Sequence, residues 1–157
     1  MLYTSITKRT KMNNQQEIFR EKAVNYLVCF NNHCPLHGRC LRYDVGQAAD
    51  PKLLAVSAVH PNYEHAEDGQ CDLFRDHTPQ RMNVGMKLHF YTNMPAHVAV
   101  AIKKRLIARN CRATYYQYHN GRRPITPDYL AFIEQVCREE GWTGPLTFDG
   151  ETEDYVW

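Results

Sequence analysis

No apolar run in this sequence approaches the ~20 residues that a bilayer-spanning helix needs, and the longest, Leu53 to Val59, is only strand-sized, which excludes a membrane-spanning chain. Lys8, Arg9 and Lys11 near the start are followed by no apolar stretch. The segment therefore does not read as a secretory signal, and the expected compartment is the cytoplasm. Internal repeats and low-complexity tracts are also lacking. So are the G-x-S-x-G elbow, the P-loop, the H-E-x-x-H zinc motif and the Rossmann glycine fingerprint. With none of these, no catalytic site is legible, and the loop cluster Glu64, His65, Glu67 and Asp68 reads as a hydrated acidic turn.

What is there is a globular mix. The chain has 157 residues, 43% hydrophobic and 23% charged, enough to bury a core and far from the composition of a disordered chain. Its 19 bases and 17 acids nearly cancel, but the two signs are divided along the chain. Residues 1–76 are balanced. Residues 77–127 carry nine bases (Arg81, Lys87, Lys103, Lys104, Arg105, Arg109, Arg112, Arg122, Arg123) and no Asp or Glu, whereas residues 128–157 carry eight acids against Arg138 alone. An acid-free basic block is the footprint of a surface for anions or nucleic acid. A solvated face neutralised by the acidic end folding back would show the same division, so charge by itself leaves both readings open.

Residues 1–14 are polar and aperiodic and read as a tail. Ile18, Phe19, Ala23, Val24 and Leu27 are spaced for a helix over 15–28. Cys29 to Arg42, with Pro35, Gly38 and two Asn, reads as an irregular loop. Leu53–His60, which ends at Pro61, reads as a strand, and Lys87–Tyr91 as a second. Beyond Asn93 the period becomes 3.6, with Val98, Ala101, Ile102 and Leu106 on one face and Lys103, Lys104 and Arg109 on the other. Thr126-Pro127-Asp128 then starts another helix, because Thr caps an orphan N–H, Pro at N1 lacks the donor that would go unpaired, and Asp meets the positive dipole end. Leu130, Ile133, Val136 and Cys137 form its buried stripe and Gly141 its stop. Residues 145–157 mix acids with Phe148, Tyr155 and Trp157 and read as a tail docked on the body.

Six cysteines are present. Cys29, Cys34 and Cys40 lie as C-x4-C-x5-C in the irregular loop, and Cys71 follows Gly69-Gln70 in another turn. Loops can converge on one point, so these four thiols suit a tetrahedral zinc site or an iron–sulfur cluster, with His33 and His37 as substitute ligands. The spacing is not C-x2-C, and unliganded, partly buried thiols are the competing reading; disulfides do not suit a cytosolic chain. Cys137, on an apolar stripe, reads as core; Cys111, between Arg109 and Arg112, is placed for a lowered thiol pKa, and a structural role is the preferred reading.

The stretch Cys111 to Asp128, CRATYYQYHNGRRPITPD, resembles the helix-turn-helix of the lac- and lambda-repressor classes. Thr114 stands for the Thr of the recognition helix, Asn120-Gly121 for its end, and Ile125-Thr126-Pro127-Asp128 for the capped start of the next helix. The resemblance implies that Arg112, Thr114, Tyr115, Gln117, Tyr118 and His119 face DNA. It departs from the pattern in a turn one residue short, in Asn110 for the usual turn Gly, and in Leu106 for a small Ala. An ordinary helical bundle with a basic face is the alternative. Through CPLHGRCLRY, GQCDLFRD, MPAHVAVAIKKRL, TYYQY, RRPITP and FDGETEDYVW, the chain also resembles a bacterial family of similar length without an assigned activity.

The expected fold is α+β: residues 15–92 as a Cys-rich half with a small sheet, residues 93–144 as a basic helical half, and 145–157 as the docked tail of one integrated domain. The expected function is that of a small cytoplasmic regulatory protein without enzymatic activity. It would bind nucleic acid through Lys103, Lys104, Arg109, Arg122 and Arg123 on phosphates and Arg112, Thr114, Tyr115 and Gln117 nearer the bases, as a homodimer or with an acidic protein partner. The alternative is a zinc- or iron–sulfur-binding protein that uses Cys29, Cys34, Cys40 and Cys71 for a structural or redox purpose.

Overall fold

The computed structural model describes residues 14–63 and 69–157. All of the expected tail except Asn14, and the cluster Glu64, His65, Glu67 and Asp68, lie outside the described residues. The fold is α+β. Its helices are α1 (residues 14–22), α2 (Leu41–Ala48), α3 (Ala96–His119) and α4 (Pro127–Glu139), and its sheet is the antiparallel pair β1 (Gln80–Val84) and β2 (Gly150–Asp154). The chain divides into two compact units, one running to Thr78 and including Trp157, the other Pro79–Val156. Among the described residues no helix is long and apolar enough to cross a membrane.

In the N-terminal unit, α1 buries Phe19 and, just past its end, Ala23. It stops at Lys22 rather than reaching Val28, because Val28 instead takes up backbone bonds with residues 57–59: its N–H donates to Ser57 and its carbonyl accepts from Val59, each at 2.9 Å. The indole of Trp157 meets the rings of Phe19 and Tyr26 edge-on, at 6.1 and 5.5 Å. Leu53–His60 is not a strand. Among the described residues its one ladder contact is the parallel bridge of Ala58 to Val28, and Leu54 stands fully exposed, so the apolar run remains irregular.

Helix α2 packs Leu41 and Val45 inward, and its Gly46 lies against the segment that carries Cys29. A Cβ at Gly46 would meet the Cys29 carbonyl oxygen at 2.6 Å and the Phe30 ring at 3.3 Å. Gly46→Ala gains up to ~1 kcal/mol of helix propensity, yet overpacking against rigid backbone costs ~1–3 kcal/mol. The substitution is therefore expected to destabilise by about 1 kcal/mol net, read as a lower urea midpoint, and an unchanged or higher midpoint would contradict the close packing.

In the C-terminal unit, β1 and β2 pair in the register Gln80↔Asp154 to Val84↔Gly150. The sheet thus joins a segment not expected to be a strand to residues expected to form a tail. Lys87–Tyr91 is not a strand. The Asp149 carboxylate accepts the N–H groups of Lys87, Leu88 and His89 at 2.8, 2.9 and 3.0 Å, which curls the segment into a turn and removes those donors from any ladder.

Helix α3 is two helical arms, 96–110 and 112–119, broken at Cys111 (φ 66°, ψ 162°). The first buries Val98, Ile102 and Leu106, and the second buries Tyr115 and Tyr118. It ends where Gly121 takes φ +71°, with the N–H groups of Gly121 and Arg122 closing back on the carbonyls of Tyr118 and Gln117. Helix α4 is capped by the Thr126 side chain, which accepts from the Tyr129 N–H. It stops in the same fashion, with Gly141 at φ +82° and Trp142 donating to the Cys137 carbonyl at 2.8 Å. Tyr129, Ile133, Val136 and Cys137 are its buried face, so Tyr129 takes the fully buried place expected for Leu130.

Candidate functional site

The nine cations of the acid-free block all lie in the C-terminal unit, and two of them have carboxylate partners. Arg81 pairs with Glu151 of β2, and Arg105 pairs with Glu139 and Glu140 at the end of α4. Among the described residues, Lys87, Lys103, Lys104, Arg109, Arg112, Arg122 and Arg123 meet no carboxylate. Of the acids at the chain's end, Glu151 is taken up by Arg81 and Asp149 by backbone amides, which leaves those seven cations of the block unmatched among the described residues.

Several of these cations are held on aromatic rings. Lys103 lies 5.6 Å from the Tyr116 ring and Arg112 lies 5.9 Å from the same ring, so one aromatic ring carries a cation from each arm of α3. Arg109 covers Phe132 of α4 at 4.1 Å, and Arg123 lies 5.1 Å from Tyr118. Such contacts contribute ~0.5–1 kcal/mol each at exposed sites and restrict the side chains before any anion arrives. Lys104, Arg109, Arg112, Gln117, Arg122 and Arg123 are exposed, and Lys103 and Thr114 are half-buried. Tyr115 is not a surface group: it is fully buried, with its hydroxyl 3.1 Å from that of Tyr91, so it cannot stand near a base as expected. Tyr118 is likewise in the core.

Cys111 stands at the break between the two arms of α3. It is exposed, in a backbone region that residues other than glycine rarely enter, and its thiol lies 3.5 Å from the Thr114 hydroxyl. Hydrogen bonding to the Thr114 side chain, and then to its backbone, lowers the thiol below the ordinary cysteine range. Cys137 is core as expected, and burial pushes its thiol up to about 11.

In the N-terminal unit, Cys29, Cys34, Cys40 and Cys71 line a single cavity of about 600 Å³, together with His33, His60 and Arg42. His37 is turned elsewhere, its ring against Tyr43 at 5.1 Å and its Nδ1 at the Cys34 carbonyl. Among the described residues, no three His, Cys, Asp or Glu side chains are grouped so as to hold a metal ion. Sequence reasoning missed Arg42, which is nine-tenths buried. Its Nε donates to the Leu73 carbonyl at 2.6 Å and its Nη1 to the Leu27 carbonyl at 2.8 Å, and its guanidinium lies 4.9 Å from the Tyr26 ring. Its place two residues after Cys40 in CLRY was the only available signal.

Neither a curated protein nor a solved structure matches the chain. A family of unknown function, DUF6078, matches over residues 12–157, nearly the whole length, and the chain belongs to that family.

Proposed function

We propose that this chain is a small regulatory protein that binds nucleic acid through the basic face of its C-terminal unit. The observation that carries the reading is the set of cations on α3 and the turn after it that meet no carboxylate among the described residues, four of them seated on aromatic rings. Unpaired cations concentrated on one segment raise the local potential and attract a polyanion, and ring-held ones lose less freedom when they meet phosphate. Lys103, Lys104, Arg109, Arg122 and Arg123 are assigned to phosphates. Arg112, Thr114 and Gln117 are assigned nearer the bases, where bidentate contacts carry specificity.

The test is a fluorescence-anisotropy titration of the full chain against labelled duplex DNA, single-stranded DNA and RNA at about 50 mM salt. Saturable binding to at least one is expected. Binding to none of the three overturns the reading and leaves the face as a docking surface for an acidic protein.

A further inference from the structure

The cavity of the N-terminal unit, at about 600 Å³, falls within the range of roughly 300–1,000 Å³ that small-molecule sites occupy. Packed interiors leave few voids larger than a water molecule, so a space of this size has walls that are held apart. The ties are specific. Val28 is bonded to Ser57 and Val59, and Arg42 donates to the Leu27 and Leu73 carbonyls, which joins the wall segments 27–30, 56–59 and 71–74. Gly46 of α2 lets the Cys29 carbonyl approach to a distance that a Cβ would bar.

The lining selects the chemistry of an occupant. Phe30, Leu36, Val56, Val59, Leu73 and Phe74 give apolar and aromatic walls. Among the described residues no Asp, Glu or Lys lines the space, and its one arginine, Arg42, is already engaged by two carbonyls and the Tyr26 ring. A charged occupant would be left unmatched there, so the space suits an uncharged, apolar compound. Four of the six cysteines, Cys29, Cys34, Cys40 and Cys71, line the same space. Cys34 and Cys40 are buried, whereas Cys29 and Cys71 are half-buried and are the thiols within reach of an entering molecule. Thiols are intrinsically strong nucleophiles. The uncharged compounds that join an apolar body to a carbon that accepts sulfur, with no leaving group, oxidant or further reagent, are the α,β-unsaturated carbonyl compounds.

We infer that this cavity captures small apolar α,β-unsaturated carbonyl compounds as covalent adducts of Cys29 or Cys71. The sulfur forms a bond to the β-carbon, the carbon–carbon π pair moves onto the carbonyl oxygen as an enolate, and the proton given up by the thiol is replaced from solvent on the α-carbon. Every atom of both partners ends in the adduct. The rate comes from holding the β-carbon beside the sulfur. Cys34 and Cys40 add polarizable surface against an aromatic occupant. The inference concerns the other unit from the basic face and is independent of the nucleic-acid reading.

The test uses the full chain, reduced and then freed of reductant, with two electrophiles of one reaction type: phenyl vinyl ketone, which is apolar, and acrylamide, which is small and polar. Adducts at each cysteine are counted by peptide mass spectrometry at early times. Cys111, exposed and outside the cavity, is the internal reference. It is expected to lead with acrylamide, and Cys29 or Cys71 with phenyl vinyl ketone. The ratio of cavity labelling to Cys111 labelling should differ between the two probes by about tenfold or more, as burial of one phenyl ring allows. Cavity labelling should also level off as the ketone concentration rises. Propiophenone, which has the same body without the reactive double bond, should slow it and leave Cys111 unaffected. Val59→Trp, which fills the space, should act in the same way; if that variant fails to fold, protection by propiophenone decides. Labelling of Cys111 ahead of the cavity thiols by phenyl vinyl ketone, or no protection by propiophenone, overturns the inference.

Discussion

Raising the salt from about 50 to about 200 mM is expected to weaken nucleic-acid binding roughly 500-fold for a duplex, because five phosphate contacts give a log–log slope of about −4.5. The five are Lys103, Lys104, Arg109, Arg122 and Arg123, none of which meets a carboxylate among the described residues. Lys103→Ala should lower the slope by about one and weaken all sequences alike. Arg105→Gln supplies the internal comparison. Arg105 is already matched to Glu139 and Glu140, so its loss should leave the slope almost unchanged. Gln117 is exposed on the second arm of α3, and Gln117→Ala should alter preference between sequences by ~1–3 kcal/mol while keeping the slope. A slope near zero, or equal losses from Arg105→Gln and Arg109→Gln, would show that the ring-held cations are not the contact surface.

The parts of this fold that local chemistry dictates were legible in the sequence. Helix α4 has its start fixed by Thr126-Pro127 and its end by Gly141, and the first arm of α3 has a regular apolar face; both needed only neighbours within a few residues. Elements decided by distant partners were not legible. Lys87–Tyr91 has the composition of a strand, and it is a turn because Asp149, about sixty residues later, collects its amides. The segment GETED is short and charged, and it is a strand because the backbone of Gln80–Val84 pairs with it. The break at Cys111 has no Gly or Pro to announce it, and it changes how the second arm presents its side chains, with Tyr115 turned into the core. For the cysteines, loop placement implied that they were free to meet; the cavity and the buried Arg42 are consequences of how residues 27, 42 and 73 are tied together. The charge division was legible, and it changes sign balance close to where the second unit starts at Pro79.

Asp149→Asn is expected to cost about 2 kcal/mol at pH 7, even though the new side chain has almost the same shape. The native carboxylate accepts three backbone N–H groups, from Lys87, Leu88 and His89. An amide offers one acceptor oxygen and turns an NH₂ toward a backbone donor, so at least one N–H loses its partner. Charge-assisted bonds of this kind contribute ~1.5–3 kcal/mol each when dry, and the figure is set lower here because the donors face solvent. For a chain of this size the loss corresponds to a melting temperature lower by roughly 4–8 °C. Gly85 belongs to the same arrangement: it takes φ +75°, accepts the Asp149 N–H at 3.1 Å, and a Cβ there would lie 2.6 Å from the Asp149 carboxylate. The pH dependence has a definite sign. Partial burial pushes the Asp149 carboxyl up, but the amides of Leu88, Lys87 and His89 outweigh it and hold the group below the ordinary carboxylate range. Its contribution is therefore fully present above the unfolded value of about 3.9 and is lost as the pH falls through the lower native value. Urea unfolding of the wild type and Asp149→Asn should differ by a constant amount from pH 7 to about 5 and converge below about 4. A difference that persisted unchanged into that acid range would mean that the Asn variant is destabilised by something other than loss of the charged acceptor, and the turn would not depend on the ionised carboxylate.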